Sequence, residues 1–237
     1  MKEKDKIGVI LINGAGLGSF IWKDLEPLIN YPTLAIDFPN REKGDKANQK
    51  ITFDNYLKSA INQIEEWNKE KIIIVAHSIG GCLGLRLCDF FGNKVDGLIA
   101  ISSAIPKSGK SFASCLPYPQ KILLPILLNL FGTKPPEKSI QSELCNDLSS
   151  AKGSEIVNRF TPESKLLYTT KINYNSLPNR RLYLKLTNDK AFPIMIQNKM
   201  ADNLNAQNIV ELESGHLPMI SKPKELAEII NKFVKNG

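Results

Sequence analysis

The sequence predicts an α/β protein: a mainly parallel sheet of about six strands, flanked by helices on both faces and interrupted by a helical insertion. Three observations carry that expectation. The runs "IGVILI" (7–12) and "KIIIVA" (71–76) are continuously apolar and β-branched, as a strand buried on both faces requires. Strand-like and helical patterns alternate along the chain, which implies parallel strands joined by crossover helices. The alternation breaks once, over residues 104–178, and resumes at "RRLYLKLT" (180–187).

The elements follow in order. The first strand, 7–12, ends in the glycine-rich turn "NGAGLGS". "FIWKDLEPLI" (20–29) has helical spacing, and "TLAID" (33–37) reads as a short strand. The polar loop "REKGDKANQK" (41–50) leads to "TFDNYLKSAINQIEEW" (52–67). There Tyr56, Leu57, Ala60, Ile61 and Ile64 share a helical face, with Thr52 as N-cap. The strand 71–76 feeds a glycine-rich helix start over 79–91, and "VDGLIAIS" (95–102) is the next strand.

Residues 104–178 are rich in Pro and Ser. They hold three helical pieces, "PQKILLPILLNLF", "KSIQSELCNDLSS" and "TPESKLLYTTK". A structureless loop of this length is improbable, so the segment is expected to be a helical cap. The core domain is then 1–103 with 179–237. The remaining elements are the strand 180–187, the helix "FPIMIQNKMADNL", the strand "NIVELE" (208–213) and the closing helix "KPKELAEIINKFV".

Composition narrows the function. Of 237 residues, 42% are apolar and 23% charged, an ordinary globular balance. The longest apolar candidate, "KILLPILLNLF" (121–131), is too short to span a membrane and contains Pro125. The opening "MKEKDKIGVILI" mixes acidic residues with its lysines and runs into a glycine loop without a cleavage site. It does not read as a signal peptide, and a cytoplasmic protein is expected. Cys82, Cys88, Cys115 and Cys145 show no metal-binding spacing and are expected as reduced thiols, the first two as core fillers. The net charge is +7, but the lysines are scattered without an arginine stripe or interleaved aromatics, so no nucleic-acid partner is expected. A homodimer is compatible with the sequence, which does not fix the oligomeric state.

The chemistry centres on "VAHSIGG" (75–81). Ser78 sits at a strand-to-helix turn, with the small residues Ala76 and Gly80 two positions either side. This is a nucleophile-elbow pattern in which Ala76 replaces the usual glycine. A serine hydroxyl needs a base, and the chain has two histidines. His77, beside the serine on another side of the turn, is expected to pack or hydrogen-bond there. His216, in "ELESGHLPM", follows the last strand, where sites in open α/β sheets gather.

Asp189, just past the preceding strand, is the carboxylate expected to orient it. It is preferred over Asp37, Asp96, Asp202, Glu211 and Glu213, Asp37 being assigned to stabilising the turn "DFPN". Backbone N–H groups of Ile79, at the helix start, and Ala15, in the first glycine loop, are the candidate oxyanion donors. That loop, "GAGLGS", is spaced G-x-G-x-G rather than as a dinucleotide fingerprint. No cofactor and no metal are expected.

The stretches "LINGAGLGSFIWKDL", "AHSIGG", "TNDKAFP" and "ELESGHLPMISKPKELAEII" together resemble the α/β-hydrolase superfamily, in the branch of plant methyl esterases, hydroxynitrile lyases and related bacterial esterases. The resemblance covers nearly the whole chain and implies six parallel strands, the N-terminus being too short for two further ones. The lyases of that branch carry a threonine and a lysine where this sequence has Gly14 and Leu217, the two positions taken as substrate contacts. The resemblance therefore implies a serine esterase acting through an acyl-enzyme on a small ester with an apolar group. The alternative is a non-hydrolytic protein of the same fold, a hydroxynitrile-lyase-like enzyme or a small-ligand receptor. Leu116, Ile122, Leu127, Leu166 and Leu167 of the cap either line the pocket or pack the cap on the sheet.

Overall fold

Apolar runs too long to face water on one side have only one stable placement, between two helical layers. The computed structural model, which describes residues 6–41, 44 and 46–236, has that arrangement. Strands β1 (Ile7–Ile12), β2 (Thr33–Ala35), β3 (Lys71–His77), β4 (Val95–Ile101), β5 (Arg180–Leu186) and β6 (Asn208–Leu212) form one sheet in the order β2-β1-β3-β4-β5-β6. Every pairing is parallel. Along β1 the side chains alternate between two cores, Ile10 and Ile12 in one and Val9 and Leu11 in the other, and all four are fully buried. That double burial is why the strand reads as an unbroken apolar run.

The helices are α1 (Phe53–Trp67), α2 (Gly80–Phe91), α3 (Gln120–Phe131), α4 (Glu137–Ser139), α5 (Ser150–Arg159), α6 (Lys165–Thr169), α7 (Ile194–Leu204), α8 (Pro218–Ser221) and α9 (Pro223–Lys235). Thr52 caps α1 as its sequence predicts. Its side chain accepts from the Asn55 N–H, and Asn55 answers by accepting from the Thr52 N–H. On α1, Tyr56, Leu57, Ala60 and Ile64 are buried, while Ile61 is half-buried. On α9 the apolar stripe Leu226, Ala227, Ile230, Phe233 and Val234 is buried against the opposite face of the sheet.

Some elements depart from the sequence reading. Residues 20–29 form two short 3₁₀ turns, Ser19–Trp22 and Glu26–Leu28, instead of one helix. Pro27 lacks the N–H that a continuing helix would need, and Trp22 and Leu25 are buried by tertiary packing without helical continuity. The second strand stops at Ala35; Ile36 still donates to Leu11 O, and Asp37 turns away to accept the Ser19 N–H.

Between β4 and β5 the chain leaves the sheet. α3 and α6 lie within two of the expected helical pieces, and the third becomes α4 followed by a π-turn, Ile140–Leu144. Helix α5, capped by Ser149, was not anticipated; Gly153 and the polar run around it weaken its helical signature. All four cysteines are free and buried, and burial pushes the Cys115 thiol up to about 12 and Cys145 to about 11. No helix of the described residues is long and apolar enough to cross a membrane. Residues 42, 43 and 45 of the expected polar loop, and the first five residues, lie outside the described ones.

The strand order places the chemistry. From β1 the chain first steps outward to β2, then crosses back over β1 to β3 and continues the other way. Loops leaving β1 and β3 therefore diverge at their carboxyl ends and open a crevice between them.

Candidate active site

Strand β3 ends at His77, and α2 begins at Gly80, so the chain reverses at Ser78 and Ile79. The turn is so tight that Ser78 has φ +55°, a left-handed backbone that costs a non-glycine residue roughly 1–2 kcal/mol. Sheet contacts hold it there. Ser78 N–H donates to Ile101 O at 3.2 Å, and Ser78 O accepts from Ala104 N at 2.8 Å and Ser103 Oγ at 2.9 Å. A side chain at Gly80 would bring its Cβ within 2.6 Å of Asn13 O, which explains the small residue after the serine. Ala76, the irregular position before it, faces Gly84. A Cβ on Gly84 would lie 3.1 Å from the Ala76 methyl, so the glycine on α2 makes the room that a glycine at 76 would otherwise provide.

Asp189 and His216 lie on the loops after β5 and β6, next to each other because those strands pair. His216 Nδ1 and Asp189 Oδ2 are 2.7 Å apart, both residues buried. Asp189 is fully engaged: Oδ2 also accepts from Ser102 Oγ at 2.7 Å, and Oδ1 accepts from the N–H groups of Ala191 and Phe192 at 2.9 and 2.8 Å. Burial alone would raise its pKa. Electrostatic attraction to His216 and the hydrogen bonds from His216, Ser102 and Phe192 outweigh burial and hold the carboxyl below its usual range. The loop carrying it is tied by the buried Gln197, which pairs with Leu186 N–H and O and donates to Phe192 O.

Ser78, His216, Gly14, Ala15 and Ile79 border one cavity of about 170 Å³. Ala15 comes from the loop after β1 and Ile79 from the start of α2, the two places expected to supply backbone N–H donors. The rest of the wall is largely apolar and includes Phe112, Ile140, Leu144, Phe160 and Tyr168 of the insertion.

One expectation is corrected, and of one pair of alternatives the pocket-lining one falls. Leu217 is fully buried in the core on the α9 side and does not reach the cavity, because the chain turns into α8 directly after His216. None of Leu116, Ile122, Leu127, Leu166 and Leu167 lines the cavity either. Ile122 and Leu127 point to solvent, and Leu167 packs in the core.

Sequence reasoning missed three supports. Ser102, with φ +37° at the end of β4, holds Asp189. Asp147, from the insertion, accepts the Gly215 N–H at 2.6 Å and fixes the loop of His216. Glu163, its side chain fully buried, accepts the Gly16 N–H at 3.0 Å and the Tyr56 hydroxyl at 2.8 Å and is paired with Arg41. Thr161 N–H donates to Gly16 O at 2.9 Å, so residues 161–163 grip the glycine loop from both sides of Gly16. A serine at a strand's carboxyl end was a readable signal for Ser102; the other two are visible only in three dimensions.

His77 is placed as read, beside the elbow, but with a defined contact. Its Nε2 lies 2.8 Å from His216 O, and its Nδ1 is buried without a partner among the described residues. Burial, and then the charge of His216, lower its pKa to about 3, so its ring is neutral and donates from Nε2.

The model of the Alpha/beta hydrolase family matches residues 9–229. The chain belongs to this family. It is 26% identical to norfluorocurarine synthase 2 of Strychnos nux-vomica, over 93% of this chain and 92% of that one. To polyneuridine aldehyde esterase of Rauvolfia serpentina it is 24% identical, over 93% of each. Among solved structures, an extracellular alpha/beta-hydrolase from a Paenibacillus species, described as sharing homology with tobacco salicylic acid binding protein 2, superposes with a TM-score of 0.85 at 20% identity, over 95% of this chain and 98% of that one. That likeness speaks for the fold. The relatives of this α/β hydrolase include several esterases at low identity, which supports a hydrolase.

Proposed function

We propose that this α/β hydrolase cleaves small carboxylic esters through an acyl-enzyme on Ser78. The observation that carries the reading is the 2.7 Å pair between Asp189 and His216, opening onto the same cavity as Ser78. In this mechanism Ser78 Oγ attacks the ester carbonyl carbon while His216 Nε2 takes its proton. Asp189 accepts from Nδ1–H, fixes that tautomer and stabilises the imidazolium. The carbonyl oxygen becomes an oxyanion held by the N–H groups of Ala15 and Ile79. Collapse expels the alcohol, which leaves with the proton from His216. Water, deprotonated by His216, then attacks the acyl-serine, and the acid departs as the proton returns to Ser78.

Gly14 supports hydrolysis over lyase chemistry. A Cβ there would stand 2.9 Å from Ser78 Cβ and 3.2 Å from His77 Nδ1, so this site has no room for the threonine that the lyases of the branch carry. The cavity, about 170 Å³, is below the roughly 300 Å³ where sites for drug-sized ligands begin, which favours a compact substrate group. The insertion, which supplies much of the cavity wall, serves as the cap.

The test is covalent labelling. A fluorophosphonate probe is expected to label the wild type stoichiometrically, and Ser78→Ala to abolish both labelling and turnover of p-nitrophenyl acetate. Folded protein that neither labels nor turns over esters, yet binds a small carboxylate stoichiometrically, would instead be a receptor.

A further inference from the structure

Helix α3 is unusual in what it leaves uncovered. Six of its twelve residues, Ile122, Leu123, Ile126, Leu127, Leu130 and Phe131, are large, apolar and exposed, Leu130 at 70% and Phe131 at 77%. At 100° per residue they form one continuous half of the helix, with Leu128 buried on the other. Exposed apolar surface of this extent marks a docking site. None of the six faces the ester cavity.

A second observation says what docks. The carboxyl end of α3 forms one wall of a separate cleft of about 580 Å³, lined by Asn129 and Phe131 together with Lys46, Lys50, Lys134 and Lys165. The cleft also contains Glu163, but that carboxylate is fully buried and engaged by Arg41, so the cleft's accessible charge is positive. The molecule as a whole carries +7. A second copy of this chain would suit the apolar face but not the lysines: a two-fold contact over α3 would bring like-charged clefts together. An occupant with an apolar body and a dense anionic rim satisfies both features.

We propose that α3 docks on an anionic lipid bilayer, with its apolar face in the boundary between headgroups and acyl chains and the adjoining lysine cleft on the lipid phosphates. A twelve-residue helix, about 18 Å long, is too short to span a bilayer and suited to lying in its surface. Pro135, on the ester cavity wall, follows α3 by four residues, so the cavity wall is tethered close to the docking helix.

The experiment is co-sedimentation of the full chain with vesicles of phosphatidylglycerol in phosphatidylcholine and of phosphatidylcholine alone. Binding is expected on the anionic vesicles at low salt, weakening as salt is raised, and much less on the neutral ones. Leu130→Ser/Phe131→Ser is expected to weaken it about a hundredfold. Lys46→Gln/Lys50→Gln should weaken it about thirtyfold on anionic vesicles only. Circular dichroism and melting temperature check that both variants are folded. The proposal is overturned if wild type does not sediment with anionic vesicles at low salt, or if Leu130→Ser/Phe131→Ser sediments undiminished. It is equally overturned if sedimentation velocity shows a dimer that this variant dissolves, which would make the face a contact between copies.

Discussion

Asp189 accepts four hydrogen bonds, from His216, Ser102, Ala191 and Phe192, and so has no freedom to turn. Replacing it with asparagine keeps the shape but puts an NH₂ where one of these donors now points, and removes the charge that stabilises imidazolium. Asp189→Asn is expected to cut kcat by about 10⁴-fold while the melting temperature stays close to wild type. A near-normal rate would remove Asp189 from the mechanism. Ser78, Asp189 and His216 were legible as candidates because their order along the chain and their places at strand ends are written in the sequence. Asp147 was not, because it acts across 68 residues on a loop that only the insertion brings near, and Ser102, though readable as a serine at a strand end, gave no sign of its partner 87 residues away. His77, which local spacing marks as a neighbour of Ser78, spends its hydrogen bond on the far side of the site, at His216 O.

Among the elements, the insertion has a role that its sequence conceals. Residues 161–163 hold the glycine loop after β1, and Asp147 holds the loop after β6, so one segment braces the two sides of the crevice. Glu163→Ala removes the acceptor for Gly16 N–H and leaves Arg41 without its buried partner. The expected loss is about 3 kcal/mol of stability, read from urea unfolding. A fall in kcat with KM nearly unchanged is expected with it, since the glycine loop carries the proposed Ala15 donor. Tyr56→Phe, which removes the hydrogen bond donated to Glu163 and the one accepted from the Ser164 N–H, should cost about 2 kcal/mol. Equal losses in the two variants would show that the ion pair contributes little. The sheet itself was readable strand by strand, since double burial imposes unbroken apolar runs. The segment 20–29 was misread because its helical spacing serves packing around Trp22 and Leu25 while Pro27 breaks the helix.

For the whole molecule, two buried groups set the response to acid. His77 is neutral in the folded chain down to about pH 3, whereas an unfolded imidazole takes up its proton near 6.5. Between those values the unfolded state binds more protons, so stability falls as pH falls, by up to about 1.4 kcal/mol per pH unit. Asp189, held below its usual range, acts in the same direction: its contribution is present above the unfolded carboxyl pKa and is lost as pH drops through the folded one. The urea midpoint is expected to decline from pH 7 to pH 4, and His77→Phe to flatten that decline. An unchanged slope in the variant would assign the acid response to other groups.

The placement of the insertion also bears on the order of assembly. β1 and β2, like β3 and β4, are neighbours joined by about twenty residues, but β4 and β5 are neighbours whose pairing must close a loop running from Ile101 to Arg180. Closing roughly 80 residues costs about 1 kcal/mol more chain entropy than closing about 20. The half of the sheet that bears Ser78 can therefore form first, and the half that bears Asp189 and His216 joins it only once the insertion has condensed. A nascent chain would thus hold its proposed nucleophile without its proposed base until the last stage of folding.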